Sequence, residues 1–153
     1  EIWTMQSSWH NLPEFEPESA QYQQQPGLEF AARDVAVNDA LDAITMDIAP
    51  AYGAVPGLGF YRRRVQLSAN GLTLQEETDF SRTVALTLMS VEKPAVEGGT
   101  VQFGTLAAAH IKGFARIATE AVPITDPRLR QAWPDTLYRT RICFTGALTV
   151  EVQ

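Results

Sequence analysis

Apolar and polar residues alternate along most of this chain, which is the pattern of strands that bury one face. In the segment 60–68, Tyr61, Arg63 and Val65 fall on one face and Arg62 and Arg64 on the other. The segment 43–48 alternates in the same way, and 84–91 is rich in the β-branched and apolar residues that strands favour. The pattern predicts further strands at residues 28–33, 72–76, 100–103, 115–122, 137–144 and 148–152.

Turn residues separate these segments. Asn70-Gly71 is a strong hairpin signal, and Gly98-Gly99 predicts a second tight turn. The stretch 49–59, with two prolines and three glycines, predicts a loop. Residues 126–133 predict one short helix, because Asp126 suits the cap position and Pro127 the first turn.

Many short strands with almost no helix predict an all-β fold, specifically a two-layer antiparallel β-sandwich with one short helix. Residues 1–153 are expected to form a single domain of this kind, since the length suits one core. The alternation predicts the following core residues: Ile44, Met46, Ile48, Val65, Leu67, Leu86, Leu88, Ile142 and Phe144.

The composition of the chain disfavours several classes of function. A net charge of −6 disfavours a nucleic-acid partner or an anionic membrane surface, which both require a basic face. The longest apolar runs are shorter than the ~18 residues that a membrane-spanning helix needs. The single cysteine, Cys143, cannot form an internal disulfide or a CxxC motif.

Two features suggest chemistry, and each has a structural alternative. His10 precedes Asn11-Leu12-Pro13 at an expected strand-to-loop junction, where it is either a hydrogen-bonded structural residue or a ligand. The Arg62-Arg63-Arg64 run either pairs with Glu76 and Glu77 of the neighbouring strand or recognises a sugar carboxylate. Strand alternation prevents the three arginines from forming one patch.

Several short motifs follow one another along the chain: His10-Asn11-Leu12-Pro13, a glutamine-containing loop at 21–25, Asp47-Ile48-Ala49-Pro50-Ala51-Tyr52, Arg62-Arg63-Arg64-Val65, the Asn70-Gly71 turn, and Asp126-Pro127-Arg128-Leu129 with Trp133 and Leu137-Tyr138-Arg139. In this order they resemble the C-terminal β-sandwich region of heparinase II/III-like polysaccharide lyases. Each motif alone is weak, and the resemblance rests on their order over essentially the whole chain.

The resemblance implies that the chain is a C-terminal fragment of a larger lyase that cleaves uronic-acid-containing polysaccharides by elimination. Its partners would be the upstream α/α toroid and β-sandwich regions of the same polypeptide. His10 would be a catalytic residue of that parent and part of a metal site, with zinc as the ion, completed by upstream residues. Trp9, Asn11, Tyr22 and Gln24 would bind substrate.

The isolated chain lacks the upstream histidine motif of this family, so we expect it to carry no cofactor and to be inactive. Two other functions stay open, a carbohydrate-binding β-sandwich with an aromatic platform and a purely structural accessory module. The resemblance implies a periplasmic or extracellular location, and a cytoplasmic one stays open.

Overall fold

The computed structural model describes residues 3–19 and 21–153, which contain ten β-strands paired antiparallel throughout. The strands are β1 (Pro13–Phe15), β2 (Arg33–Asn38), β3 (Ala43–Asp47), β4 (Tyr61–Ser68), β5 (Gly71–Thr78), β6 (Val84–Ser90), β7 (Pro94–Glu97), β8 (Thr100–Phe103), β9 (Ala107–Pro123) and β10 (Thr136–Val152). Helical structure in these ranges is limited to five short 3₁₀ segments: Trp3–Met5, Ser7–Trp9, Asp39–Leu41, Ala49–Tyr52 and Leu129–Gln131. The all-β prediction is therefore confirmed.

The sheet divides along β10. Residues 138–144 of this strand pair with β6, and residues 147–152 pair with β5. One edge of β10 is paired with β9 along both halves. The strands β5 and β6 must therefore share the other edge of β10. We call β5-β4-β3-β2 the long arm and β6-β1 the short arm. Gly146 lies at the division with a φ of 75°, a conformation that glycine adopts without steric cost.

Side chains from both arms meet in one core. Tyr61 of the long arm and Leu86 of the short arm are fully buried, together with Phe144 of β10. Phe15 of β1 packs edge-to-face on the ring of Tyr61 at a centroid distance of 5.6 Å. Aromatic rings favour this arrangement, and their burial stabilises the fold.

Most of the predicted core is confirmed. Ile48, Leu86, Ile142 and Phe144 are buried, and Met46 and Leu88 pack against them while partly exposed. Ile44 and Val65 are half-buried. The prediction that Leu67 belongs to the core is wrong. The residue is 59% exposed because it lies at the hairpin end of β4.

Three local predictions differ from the structure. Residues 28–30 turn after Gly27, residues 31 and 32 have no regular structure, and the strand begins only at Arg33. Residues 126–133 contain only the 3₁₀ segment Leu129–Gln131, although the Asp126 carboxylate does accept the Arg128 N–H at 2.8 Å as expected for a cap. The two predicted strands at 137–144 and 148–152 are parts of the single strand β10.

None of the helical segments in the described part of the chain has the length and apolarity to cross a membrane.

Candidate functional site

The most distinctive concavity is a pocket of about 260 Å³ that we call the tryptophan pocket. It forms where the N-terminal segment, β6 and the start of β10 come together. Its lining residues are Trp3, Thr4, Trp9, His10, Asn11, Met89, Trp133 and Leu137. The structure therefore brings together three of the predicted site residues, Trp9, His10 and Asn11.

Two consecutive 3₁₀ turns shape the N-terminal wall of the pocket. The Gln6 N–H donates to the Trp3 carbonyl at 3.0 Å, and the Trp9 N–H donates to the Gln6 carbonyl at 3.1 Å. The His10 N–H continues this pattern by donating to the Ser7 carbonyl. The predicted extended stretch before His10 is therefore wrong over residues 3–6, while residues 1 and 2 lie outside the described residues.

Hydrogen bonds to the glutamine loop fix these turns in place. The buried Ser7 hydroxyl donates to Gln23 Oε1 at 2.8 Å and accepts the Gln24 N–H at 3.0 Å. The Ser8 N–H also donates to Gln23 Oε1. The loop thus supports the pocket through the Gln23 side chain and the Gln24 backbone.

Three indoles surround the pocket. The rings of Trp3 and Trp9 lie edge-to-face with centroids 4.8 Å apart, and Trp133 lies 6.4 Å from Trp3. Trp133 follows the 3₁₀ segment Leu129–Gln131, and its N–H donates to the Leu129 carbonyl at 2.9 Å. Trp3 packs against the small buried cluster of Val122, Ile124 and Leu137, whereas Trp133 is 37% exposed. Both rings line the pocket.

The His10 ring is oriented by a backbone contact. Its Nε2 lies 2.9 Å from the Thr4 carbonyl oxygen. Because a carbonyl oxygen only accepts, Nε2 must carry the proton, and Nδ1 of the neutral ring then has the free lone pair. His10 is exposed at the rim of the pocket, so this nitrogen is suited to accept a proton or bind a cation.

Zinc binding requires more ligands than His10 alone. No group of three or more His, Cys, Asp or Glu residues that could hold a metal occurs within residues 3–19 and 21–153. A ring N–H donated to a backbone carbonyl is the usual outer contact of a metal-bound imidazole, so His10 fits the role of a single ligand. The remaining ligands of a three- or four-ligand zinc site would have to come from other residues.

Asn11 is held by both arms of the sheet. Its side-chain Oδ1 accepts the Met89 N–H of β6 at 3.4 Å, and its carbonyl oxygen accepts Arg63 Nη1 of β4 at 2.8 Å. Arg63 is itself paired with the fully buried Glu76 of β5. Burial raises the pKa of the Glu76 carboxyl, and the charge of Arg63 opposes that shift.

Arg139 of β10 supports the other side of the same loop. Its guanidinium lies over the Trp9 ring at 3.9 Å from the centroid, and its Nη1 donates to the Ser8 carbonyl at 3.3 Å. Glu120 of β9 pairs with this guanidinium. Arg139 is only 11% exposed, so its charge is committed to these contacts.

The structure places the two remaining predicted residues elsewhere. Tyr22 forms an isolated β-bridge with Phe15 and packs against the core, and the Gln24 side chain is exposed outside the pocket. Sequence reasoning missed Trp133, Arg63 and Arg139 as parts of this region. Trp133 and Arg139 are more than a hundred residues from His10 in sequence, and only the fold brings them to it.

A longer apolar groove of about 560 Å³ adjoins the tryptophan pocket. The two concavities share Asn11, Met89, Trp133 and Leu137. Together they form a continuous depression along one side of the molecule.

No protein-family profile matches the chain, and no curated protein is significantly similar to it in sequence.

Proposed function

We propose that this chain is the C-terminal β-sheet region of a heparinase II/III-like polysaccharide lyase, in which His10 and its loop form one edge of the substrate cleft. The observation that carries the proposal is the His10 ring, whose Nε2–H is fixed by the Thr4 carbonyl beside three tryptophans. The order of sequence motifs supports the choice of family.

Elimination at a uronate requires a base for the C5 proton, an acid for the leaving oxygen, and donors that stabilise the carboxylate. His10 Nδ1 is suited to be either that base or one ligand of a bound zinc ion, which would neutralise developing negative charge. The other groups are assigned to upstream regions of the polypeptide. The isolated chain is accordingly expected to be inactive.

An exposed apolar surface on the long arm supports the presence of a further packing partner. Val37 is 68% exposed and Leu67 is 59% exposed. Both line a concavity with Ala43, Ile44 and Val65, bordered by the polar residues Asn38, Asp39 and Asp42. Apolar clusters of this kind are typical of protein–protein contacts. We assign this surface to contact with the upstream toroid and β-sandwich regions.

The test is the activity of the natural protein extended upstream of residue 1. We expect it to release unsaturated product, detected by ultraviolet absorbance, from a uronate polymer. His10→Ala should reduce this rate at least ~100-fold, the lower end of the contribution of a general base. Glu97→Ala is the control, because its exposed side chain on β7 lies outside the pocket and the adjoining groove.

Full turnover by the His10→Ala protein would reject the assigned role of His10. Product formation by the 153-residue chain alone would reject the assignment of the remaining groups to upstream regions.

The second candidate function is a carbohydrate-binding module without chemistry. The observation that favours it is the convergence of Trp3, Trp9 and Trp133, because sugars stack their apolar faces on such rings. An extended protein that binds polysaccharide without forming unsaturated product would favour this alternative.

A further inference from the structure

The lining of the tryptophan pocket contains no charged side chain among the residues that the structure describes. Its polar groups come from Thr4, His10 and Asn11, and the remaining lining residues are apolar or aromatic. A volume of about 260 Å³ is slightly below the ~300–1,000 Å³ of typical ligand pockets. The size therefore suits one small ring.

Two arginines contact the N-terminal wall of the pocket, and neither is available to an anionic ligand. Arg139 is paired with Glu120 and lies on Trp9, while Arg63 is paired with Glu76 and donates to the Asn11 carbonyl. A carboxylate or sulfate that entered the pocket would lose water without gaining an unpaired cation. Burial of an uncompensated charge is unfavourable, so the pocket discriminates against anions.

A cationic ligand is disfavoured for a related reason. Aromatic pockets can bind cations over their ring faces, but the Arg139 guanidinium already occupies a face of Trp9. No carboxylate from the described residues lines the pocket to balance a second positive charge. An incoming cation would therefore lose water without gaining a carboxylate partner.

These constraints leave an uncharged ligand with an apolar face and a rim of hydroxyl groups. We propose that the tryptophan pocket is a subsite for an uncharged pyranose ring, stacked on the indoles and hydrogen-bonded by Asn11. The inference rests on the proposed function in taking a carbohydrate as the ligand. In that cleft the charged uronate unit occupies a neighbouring position outside the pocket.

The test is ligand binding by the 153-residue chain, measured by tryptophan fluorescence and calorimetry. The probes are cellotetraose, an uncharged pyranose oligomer, and tetragalacturonate, an acidic oligomer of the same length. We expect saturable binding of cellotetraose that changes less than two-fold between low and high salt, and at least ten-fold weaker binding of tetragalacturonate.

Two substitutions of Trp133 test whether the oligosaccharide binds in the tryptophan pocket. Trp133→Ala should weaken cellotetraose binding at least ten-fold, and Trp133→Phe should retain most of it, because the second variant keeps an aromatic face. Glu97→Ala should bind like the parent chain, because Glu97 is exposed on β7 and lines neither the tryptophan pocket nor the apolar groove. Melting temperatures of all variants show whether a loss of binding reflects a loss of fold.

Absence of cellotetraose binding, or salt-dependent binding of tetragalacturonate alone, would overturn the inference. Equal binding by the Trp133→Ala chain would do the same. These outcomes are independent of the lyase proposal, which is decided by unsaturated product from the extended protein.

Discussion

Two arginine–glutamate pairs occupy adjacent positions on the same two strands and differ completely in their surroundings. Arg63 faces Glu76 and Arg62 faces Glu77 across the β4–β5 ladder. The side chains of the first pair are 12% and 0% exposed, and those of the second are 56% and 60% exposed. Successive side chains of a strand point to opposite faces of the sheet, so one ion pair lies in the core and its neighbour in solvent.

The comparison teaches that the buried pair has a structural task that the exposed pair lacks. Arg63 Nε donates to Glu76 Oε1 at 2.8 Å, and Arg63 Nη1 reaches the Asn11 carbonyl beside His10. Arg62 Nη1 and Glu77 Oε2 lie 3.3 Å apart in solvent. A buried pair is costly to break, whereas an exposed pair contributes little.

The largest expected effect comes from breaking the buried pair. Glu76→Ala leaves the Arg63 guanidinium buried without its carboxylate, and we expect a loss of about 3–5 kcal/mol in the free energy of unfolding. Glu77→Ala, the matched control one residue away, should lose no more than about 1 kcal/mol. Denaturant unfolding of both variants measures the difference, and equal losses would refute the comparison.

The β4–β5 hairpin was the part of the fold most open to prediction. The alternation predicted the bounds of β4 to within one residue. It also correctly placed Arg63 on the opposite face of the strand from Arg62 and Arg64. Arg62 and Arg63 pair with Glu77 and Glu76 as the interpretation of the arginine run predicted. Arg64 instead lies opposite Gln75 and donates to Gln66 Oε1. What the pattern could not show is that Arg63 also contacts Asn11, because that contact joins residues far apart in sequence.

The segment 28–33 shows where alternation fails. Its apolar and charged residues alternate, yet Leu28 is 99% exposed and the chain turns after Gly27, whose φ is 130°. Six residues are too few to separate a strand from a turn when no buried face confirms the period. The same limit explains Leu67, whose position in the alternation is correct but whose end of the sheet is uncovered.

The candidate site was only partly predictable. The adjacent residues Trp9, His10 and Asn11 lie at one pocket because they are consecutive in the chain. Trp133 and Arg139 reach the same place through β10 and the turn before it, which no local pattern reveals. Short-range patterns in a sequence do not report such long-range contacts, because these depend on strand order.

A third cross-strand pair, Arg33 with Asp47, lies between the other two in burial and sharpens the comparison. The Asp47 side chain is 7% exposed and that of Arg33 is 53% exposed. Asp47 Oδ1 accepts the N–H groups of Tyr61 and Ala49, and Oδ2 accepts Arg33 Nε at 2.8 Å. Burial raises the pKa of Asp47, but these hydrogen bonds and the Arg33 charge outweigh it, so the pKa lies below its ordinary value.

A lowered carboxyl pKa stabilises the fold above the pKa of the unfolded chain, about 3.9, and that contribution is lost as pH falls through the folded-state pKa. We expect Asp47→Asn to reduce the free energy of unfolding by about 1.5–3 kcal/mol at neutral pH, the scale of hydrogen bonds to a charged group. The difference from the parent chain should shrink below about pH 4. Unfolding curves from pH 7 to pH 3 provide the measurement, and a constant difference would contradict the assignment.

The smallest effect on stability is expected when the buried pair is replaced as a whole. In Arg63→Met/Glu76→Leu no charge is left without a partner, and buried ion pairs often yield to apolar residues at little cost. The free energy of unfolding should therefore stay within about 1 kcal/mol of the parent value, in contrast to Glu76→Ala.

The Asn11 carbonyl nevertheless loses its donor in this double variant, so cellotetraose binding at the tryptophan pocket should weaken several-fold. Arg62→Met/Glu77→Leu is the matched control and should change neither quantity. A double variant as unstable as Glu76→Ala would contradict the expected tolerance of apolar replacement. Unchanged cellotetraose binding by a folded double variant would refute the task of the pair at the Asn11 loop.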